Sequence, residues 1–168
     1  MNFNQTCEQL KLWMTQDFPE GVLLSNEERY KFVQLHLYTK EEIIAFEKRF
    51  QIILPDDYKH FLMNVGSCKC FVNKYGLGIE IRELDKIAAY MKDVFIEMNN
   101  PFPNLLLTVS LTGRGDEGGF NLTRKEPNFS IFSHEEDPEL WTEETDKWVS
   151  FSNWLIKLVK SEGQNDLP

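Results

Sequence analysis

Residues 39–66, TKEEIIAFEKRFQIILPDDYKHFLMNVG, constrain the fold of this chain more than any other stretch. Thr39, followed three residues later by Glu42, is typical of a capping box at a helix N-terminus. Pro55 suits the first turn of a second helix, and Gly66 suits the left-handed residue that commonly ends one. The apolar residues with helical spacing are Ile43, Phe46, Phe50, Tyr58, Phe61, Leu62 and Val65. The stretch therefore predicts two amphipathic helices that meet at a Leu-Pro corner.

Residues 1–38 predict a helical extension in front of this pair. An apolar face is formed by Phe3, Cys7, Leu10 and Met14. After a break at residues 18–21, Ser25 and Glu28 suit a second capping box, and Tyr30, Val33 and Leu37 suit one face of the short helix that would follow.

The remainder of the chain is rich in predicted strands. Residues 83–99 have helical spacing, and a final helix begins near Ser150. The predicted strands are residues 68–73, 77–81, 105–111, 120–123 and 129–132. This order predicts an α+β fold with a central, mostly antiparallel sheet flanked by helices and an N-terminal helical extension. The predicted organisation is an extension at residues 1–38, a domain at residues 39–160 and a flexible tail at residues 161–168.

Composition restricts the partners of the chain. Its 168 residues carry a net charge of −9, which argues against binding to nucleic acid or to an anionic membrane surface. A basic protein partner is the simplest complement, although solubility alone would explain the charge. The N-terminus lacks the pattern of a secretory signal, no apolar run is long enough to span a bilayer, and the three cysteines are sparse. We therefore expect a cytoplasmic protein.

One motif resembles a dinucleotide-binding fingerprint. Residues 113–118, GRGDEG, satisfy G-x-G-x-x-G, but Phe120 and the residues after it predict a strand where the fingerprint needs a helix. Asp116 and Glu117 would also repel phosphates. A glycine-rich hairpin is the better interpretation.

Catalytic and metal-binding patterns are absent from the sequence. Cys68 and Cys70 have the wrong spacing for a zinc site, and His36, His60 and His134 lie outside any H-E-x-x-H motif. There is no G-x-S-x-G motif. We therefore expect no cofactor, no metal and no enzymatic activity.

An acidic stretch is the feature with the strongest functional signal. Residues 135–146 contain seven carboxylates and no basic residue, with Trp141 among them. Carboxylates can steer a basic partner, and a partly exposed tryptophan can anchor it. A solvated loop is the alternative interpretation. The predicted partner-binding residues are Asp116, Glu117, Glu135, Glu136, Asp137, Glu139, Trp141, Glu143 and Glu144.

A resemblance to a known family extends over about residues 39–160. The residues that carry it are Ile43, Phe46, Glu47, Phe50, Leu54, Pro55, Asp57, Tyr58, Phe61, Leu62, Val65, Gly66, Gly115, Asp116, Trp148, Phe151, Trp154 and Leu155. They resemble the SUKH superfamily, the domains similar to the fungal Smi and Knr regulators of cell-wall synthesis. The resemblance implies a small α+β domain without a known catalytic centre. It also implies, for bacterial members, immunity proteins that neutralise polymorphic or contact-dependent toxins, many of them nucleases.

Three functional hypotheses follow. The first is an immunity protein that binds a cognate, basic toxin and blocks it by stoichiometric occlusion. The second is a non-catalytic scaffold of the Smi/Knr type in cell-wall or signalling regulation. The third is an enzyme with an unrecognised carboxylate site, which abundant acidic residues alone support only weakly.

Overall fold

The computed structural model describes residues 1–16, 18–95 and 104–168 of the chain. Its helices are, in chain order, α1 (Phe3–Met14), α2 (Lys40–Phe50), α3 (Asp56–Asn64), α4 (Leu84–Val94), α5 (Trp141–Glu144) and α6 (Phe151–Lys160). A 3-10 turn at Pro138–Leu140 precedes α5. Residues 96–103, which include the predicted end of the helix that starts near residue 83, lie outside the described residues.

The strands form one sheet within the described ranges. They are β1 (Val22–Leu23), β2 (Arg29–His36), β3 (Ser67–Val72), β4 (Ile79–Ile81), β5 (Leu105–Leu111), β6 (Asp116–Asn121) and β7 (Phe129–Phe132). Each strand pairs antiparallel with the next one in the chain, so the seven strands lie in sequence order. This confirms the predicted α+β class, the antiparallel sheet and the N-terminal helix.

The two-helix corner has the predicted capping. The Thr39 hydroxyl accepts a hydrogen bond from the Glu42 backbone N–H (3.2 Å), and the Glu42 carboxylate accepts one from the Thr39 N–H (2.7 Å). Gly66 has a φ of +85°, and a Cβ there would lie 2.1 Å from the carbonyl oxygen of His36. Glycine is therefore required where the chain leaves α3 and enters β3.

The prediction of a helix after Ser25 is wrong, because residues 29–36 form strand β2. Side chains in the first five residues of β2 alternate between exposed and covered, which is the period of a strand. The Ser25 hydroxyl caps no helix and donates instead to the carboxylate of Glu162 (2.7 Å), from the far end of the chain. Since β2 pairs with β3, part of the N-terminal segment belongs to the same sheet as the predicted domain. The domain boundaries stay predictions.

The glycine-rich motif forms the predicted hairpin between β5 and β6. Gly113 and Gly115 lie in the turn, while Gly118 and Gly119 lie within β6. A Cβ at Gly119 would lie 2.5 Å from the Leu106 carbonyl oxygen, so the neighbouring strand approaches too closely for a side chain.

Helices cover both faces of the sheet. On one face, Tyr58 of α3 and Phe151 of α6 pack together with Phe120 of β6; the Tyr58 ring lies 5.1 Å from each of the other two rings. Helix α4 packs on the other face, where Tyr90 contacts Glu117. Aromatic rings fill the α3/α6 face, whereas the α4 face also holds the buried ion pair of Arg82 and Glu117.

The C-terminal tail contacts the body of the protein. The Trp154 indole N–H donates to the Asp166 carbonyl oxygen (2.8 Å), and the Lys157 ammonium donates to that of Leu167 (3.1 Å). These contacts argue against a free tail, and the flexibility expected of residues 161–168 stays a prediction.

A carboxylate in α3 connects the two ends of the family signature. Oδ2 of Asp57 accepts a hydrogen bond from the backbone N–H of Ser152 (2.8 Å), in the first turn of α6. That N–H has no partner inside its own helix, so Asp57 supplies a cap from a residue far away in sequence. The contact explains why an aspartate after Leu54-Pro55 accompanies the closing aromatic helix in this chain.

Replacing Asp57 with alanine should lower the free energy of unfolding by about 1–2 kcal/mol, the usual cost of a lost helix cap. Urea denaturation followed by circular dichroism measures the change. The matched control is Asp56→Ala, since the Asp56 side chain is 97% exposed and forms only a surface ion pair with Lys59. Its effect should stay below about 1 kcal/mol. Equal losses in the two variants would contradict the capping role of Asp57.

Candidate functional site

The acidic stretch begins where β7 ends and returns across the α4 face of the sheet. Six of its carboxylates belong to exposed residues; besides Asp146 at its end, these are the predicted partner-binding residues Glu135, Glu136, Asp137, Glu139 and Glu143. None of these five takes part in an ion pair within the described ranges. The side chain of Glu144 lies outside what the structure describes. The exposed five form an uncompensated negative surface, which we call the acidic segment.

Trp141 is buried, so the expectation that it is partly exposed is wrong. Only 4% of its surface is accessible, and its ring stacks on Phe132 with centroids 5.3 Å apart and an interplanar angle of 13°. The indole N–H donates to the carbonyl oxygen of Ser133 (2.9 Å). Trp141 therefore holds the acidic segment on the sheet, and its ring is not presented to a partner.

Glu117 is also buried, on the α4 face of β6. The Arg82 Nη2 donates to its Oε1 (3.0 Å), and the Tyr90 hydroxyl donates to the same oxygen (2.6 Å). The Arg82 Nη1 donates a hydrogen bond to the Val109 carbonyl (3.0 Å) and lies 2.7 Å from Oε2 of Glu117, with which its contact is ionic. The Arg82 guanidinium also lies 3.8 Å from the centre of the Tyr90 ring. Burial and the hydrogen bond to Glu117 raise the pKa of Tyr90 above its ordinary value.

Asp116 lies at the start of β6 and is buried as well. Its Oδ1 accepts from the backbone N–H of His134 (3.2 Å) and lies 2.9 Å from the His134 ring nitrogen Nδ1. Its Oδ2 accepts from Nε of Arg114 (2.9 Å), which in turn binds Asp166 through Nη1 (2.9 Å). Burial raises the pKa of the Asp116 carboxyl, but the hydrogen bonds from His134 and Arg114 outweigh it, so the net pKa lies below its ordinary value.

The predicted partner-binding residues therefore divide into two groups. Asp116, Glu117 and Trp141 make internal contacts beneath or beside the acidic segment, whereas the five exposed carboxylates face solvent. No local sequence pattern indicates that a carboxylate will be buried. The only available signal was the presence of Arg82 and Arg114 as possible ion-pair partners.

The potential catalytic groups have structural partners. His36 lies 2.8 Å from the Glu42 carboxylate, and the His60 ring packs against Phe3 at 5.6 Å. All three cysteines are free and buried, and burial raises the pKa of the Cys7 thiol to about 11. In the described ranges, no group of three or more His, Cys, Asp or Glu residues is arranged to hold a metal ion. No described helix has the length and apolar character needed to cross a membrane.

Comparison with known proteins supports the family resemblance that the signature residues indicated. The SMI1 / KNR4 family (SUKH-1) matches residues 38–157. The chain is also similar to the immunity protein RhsIB of Dickeya dadantii (strain 3937), with 39% identity over 162 residues that cover 95% of this chain and 96% of that protein. No solved structure matches the chain significantly. The similarity includes the two-helix corner, the hairpin and most of the closing aromatic helix, and it shows that this chain belongs to the SMI1 / KNR4 family (SUKH-1).

Proposed function

We propose that this chain is an immunity protein that binds and neutralises a cognate toxin. The observation that carries the proposal is its similarity to an immunity protein over nearly the full length of both chains. A shared fold alone would not support a function, but here the sequence similarity extends over 95% of this chain and 96% of the immunity protein. The cytoplasm is the proposed compartment, in keeping with three cysteines that all remain free.

The proposed mechanism is stoichiometric occlusion without turnover. Outside the acidic segment, several titratable groups that could serve in catalysis are held in internal contacts, such as Glu117 with Arg82 and Asp116 with His134. A protein that acts by covering its partner needs a stable surface and no reacting group. We therefore propose that the chain is not an enzyme.

The proposed contact surface includes the acidic segment. Its five exposed carboxylates would attract a basic toxin and accelerate association. Trp141 and Asp116 would support this surface from beneath, since Asp116 holds the backbone at its beginning and Trp141 holds its middle. The proposed contact is therefore a rigid, charged surface, and not the anchoring tryptophan that the sequence suggested.

The function is tested by searching for a toxin gene beside the gene for this chain and expressing the two proteins together. We expect growth to be rescued and an equimolar complex to be recovered. A failure to rescue growth together with the absence of a complex would overturn the proposal. Recovery of cell-wall or signalling proteins in place of a toxin would favour the scaffold function instead.

The acidic segment is tested by neutralising three charges with Glu135→Gln, Glu136→Gln and Asp137→Asn. We expect the association rate with that toxin to fall about 10-fold at low salt and much less at high salt, because exposed charges act mainly through screened long-range attraction. Stopped-flow fluorescence at several salt concentrations measures the rate. The control neutralises three exposed carboxylates on α2 and α4, with Glu41→Gln, Asp85→Asn and Asp93→Asn. An equal fall in the association rate of both triple variants would mean that the acidic segment acts only through its contribution to the net charge.

A further inference from the structure

The topology of the sheet collects several loops at one end. Because consecutive strands are antiparallel, every second connection lies on the same side. Residues 24–28, 73–78 and 112–115 make the turns there, and residues 133–137 leave β7 at the same side. We call this surface the turn end. It includes the first three carboxylates of the acidic segment.

The turn between β3 and β4 presents an aromatic side chain to solvent. Tyr75 is 74% exposed, more than any other large aromatic side chain in the described ranges, and Leu77 beside it is 42% exposed. Oδ1 of Asn73 accepts from the N–H groups of both Tyr75 (2.9 Å) and Leu77 (3.1 Å), and the Asn73 N–H donates to the Leu77 carbonyl (2.8 Å). The turn is therefore internally braced, and binding through Tyr75 would require little additional ordering of the backbone.

The turns of this end adjoin one another. A Cβ at Gly113 would lie 3.9 Å from the Leu77 side chain, and one at Gly115 would lie 3.6 Å from the His134 ring. An open cleft of about 770 Å³ separates the β1–β2 turn from the β3–β4 turn, with Glu27, Glu28 and Tyr75 among its lining residues. The turn end is thus a continuous surface with an exposed aromatic ring and a cleft.

The charged side chains of the turn end indicate which class of partner it can bind. Glu27, Glu28, Glu135, Glu136 and Asp137 are exposed carboxylates without an ion pair in the described ranges. Arg114 is neutralised by Asp116 and Asp166, and Arg29 lies 3.8 Å from Glu20. Lys74 sits over the Tyr75 ring, 5.1 Å from its centre, and Lys31 lines the cleft, but the carboxylates outnumber these two lysines. The balance is negative, which complements a basic surface and disfavours a second copy of this acidic chain.

We propose that the turn end is the docking surface for a basic protein, and that Tyr75 is its central anchor. The inference rests on the proposed function, which makes that protein the cognate toxin. Tyr75 would enter an apolar pocket of the toxin, while Lys and Arg side chains around the pocket would meet the carboxylates on both sides. Tyrosine is among the residue types that dominate binding energy, and a charged rim around an aromatic contact is the usual anatomy of an interface.

The test is the affinity of Tyr75→Ala for the toxin encoded beside this chain, used in a non-toxic form and titrated by calorimetry. We expect the dissociation constant to rise about 30-fold or more, as for a hot-spot residue. The control is Ile53→Ala, which removes an apolar side chain that is 81% exposed at the corner between α2 and α3. Its affinity should match the wild type. The thermal midpoint of both variants should also match it, since neither side chain is packed.

The possible outcomes distinguish the role of Tyr75 from the proposed immunity function. Wild-type affinity in Tyr75→Ala would overturn the anchor while leaving the immunity function intact. Failure of the wild-type chain to bind this toxin would overturn both. If Tyr75→Ala altered the oligomeric state of the free protein in sedimentation experiments, the turn end would be a self-association surface and the proposal would be wrong.

Discussion

Replacing Glu117 with glutamine should lower the free energy of unfolding by about 3–5 kcal/mol, because the change leaves the buried Arg82 guanidinium without its counter-charge. Arg82 and Glu117 are 7% and 6% exposed, so little water is available to replace the lost carboxylate. The amide oxygen can still accept the hydrogen bond from the Tyr90 hydroxyl. The loss of stability therefore results chiefly from the lost charge and not from a change of shape. Urea denaturation followed by fluorescence measures it.

Two further variants make the ion-pair prediction specific. Glu80→Gln breaks the Lys69–Glu80 ion pair on the same face of the sheet, whose side chains are 50% and 25% exposed, and should cost less than about 1 kcal/mol. The double variant Arg82→Met with Glu117→Leu removes both charges and should recover much of the loss. A Glu117→Gln variant as stable as Glu80→Gln would mean that the pair is solvated, and Glu117 would return to the candidate contact residues.

Replacing Trp141 with alanine should lower the free energy of unfolding by about 3 kcal/mol, the lower end of the range for removal of a large buried aromatic residue. The ring stacks on Phe132 and its N–H binds the Ser133 carbonyl, so the variant loses both packing and the restraint on the acidic segment. Hydrogen exchange should increase in residues 133–146 while the α3/α6 face stays protected.

A conservative variant separates the two roles of this side chain. Trp141→Phe retains a stacked ring but lacks the N–H donor, and it should cost about 1 kcal/mol, as expected for one hydrogen bond. Toxin affinity should follow the order of segment protection: wild type, Trp141→Phe, Trp141→Ala. If Trp141→Ala kept full stability and protection but lost binding, the tryptophan would be the partner contact that its position in the sequence first suggested.

Together these contacts change what the acidic segment can do. A flexible charged loop would steer a partner but would lose entropy on binding. Here Trp141 fixes the middle of the segment and Asp116 fixes its beginning through the His134 N–H. The result is a charged surface with a defined shape, beside the exposed ring of Tyr75 at the turn end.

Local sequence patterns predicted the elements whose signals are short in range. The capping box of Thr39 and Glu42, the strand at residues 105–111, the strand at residues 129–132 and the helix after Ser150 all lie where their patterns placed them. Each depends on contacts between residues a few positions apart, or on a run of apolar side chains that no other element could cover. The family signature consists mainly of such positions, which is why it identified the fold.

Only the tertiary structure decided the state of β2 and of the candidate site. Residues 29–36 form a strand because they pair with β3, and the Ser25 hydroxyl donates to Glu162 in place of capping a helix. Both partners are distant in sequence. Asp116 and Glu117 were predicted to bind a partner, but their internal contacts depend on His134 and Arg82, which the sheet brings beside them. The sequence by itself determined the helical corner, the hairpin and the net charge, since these follow from neighbouring residues and composition. Which carboxylates face solvent and which are buried was decided by strand pairing, because burial depends on what lies across the sheet.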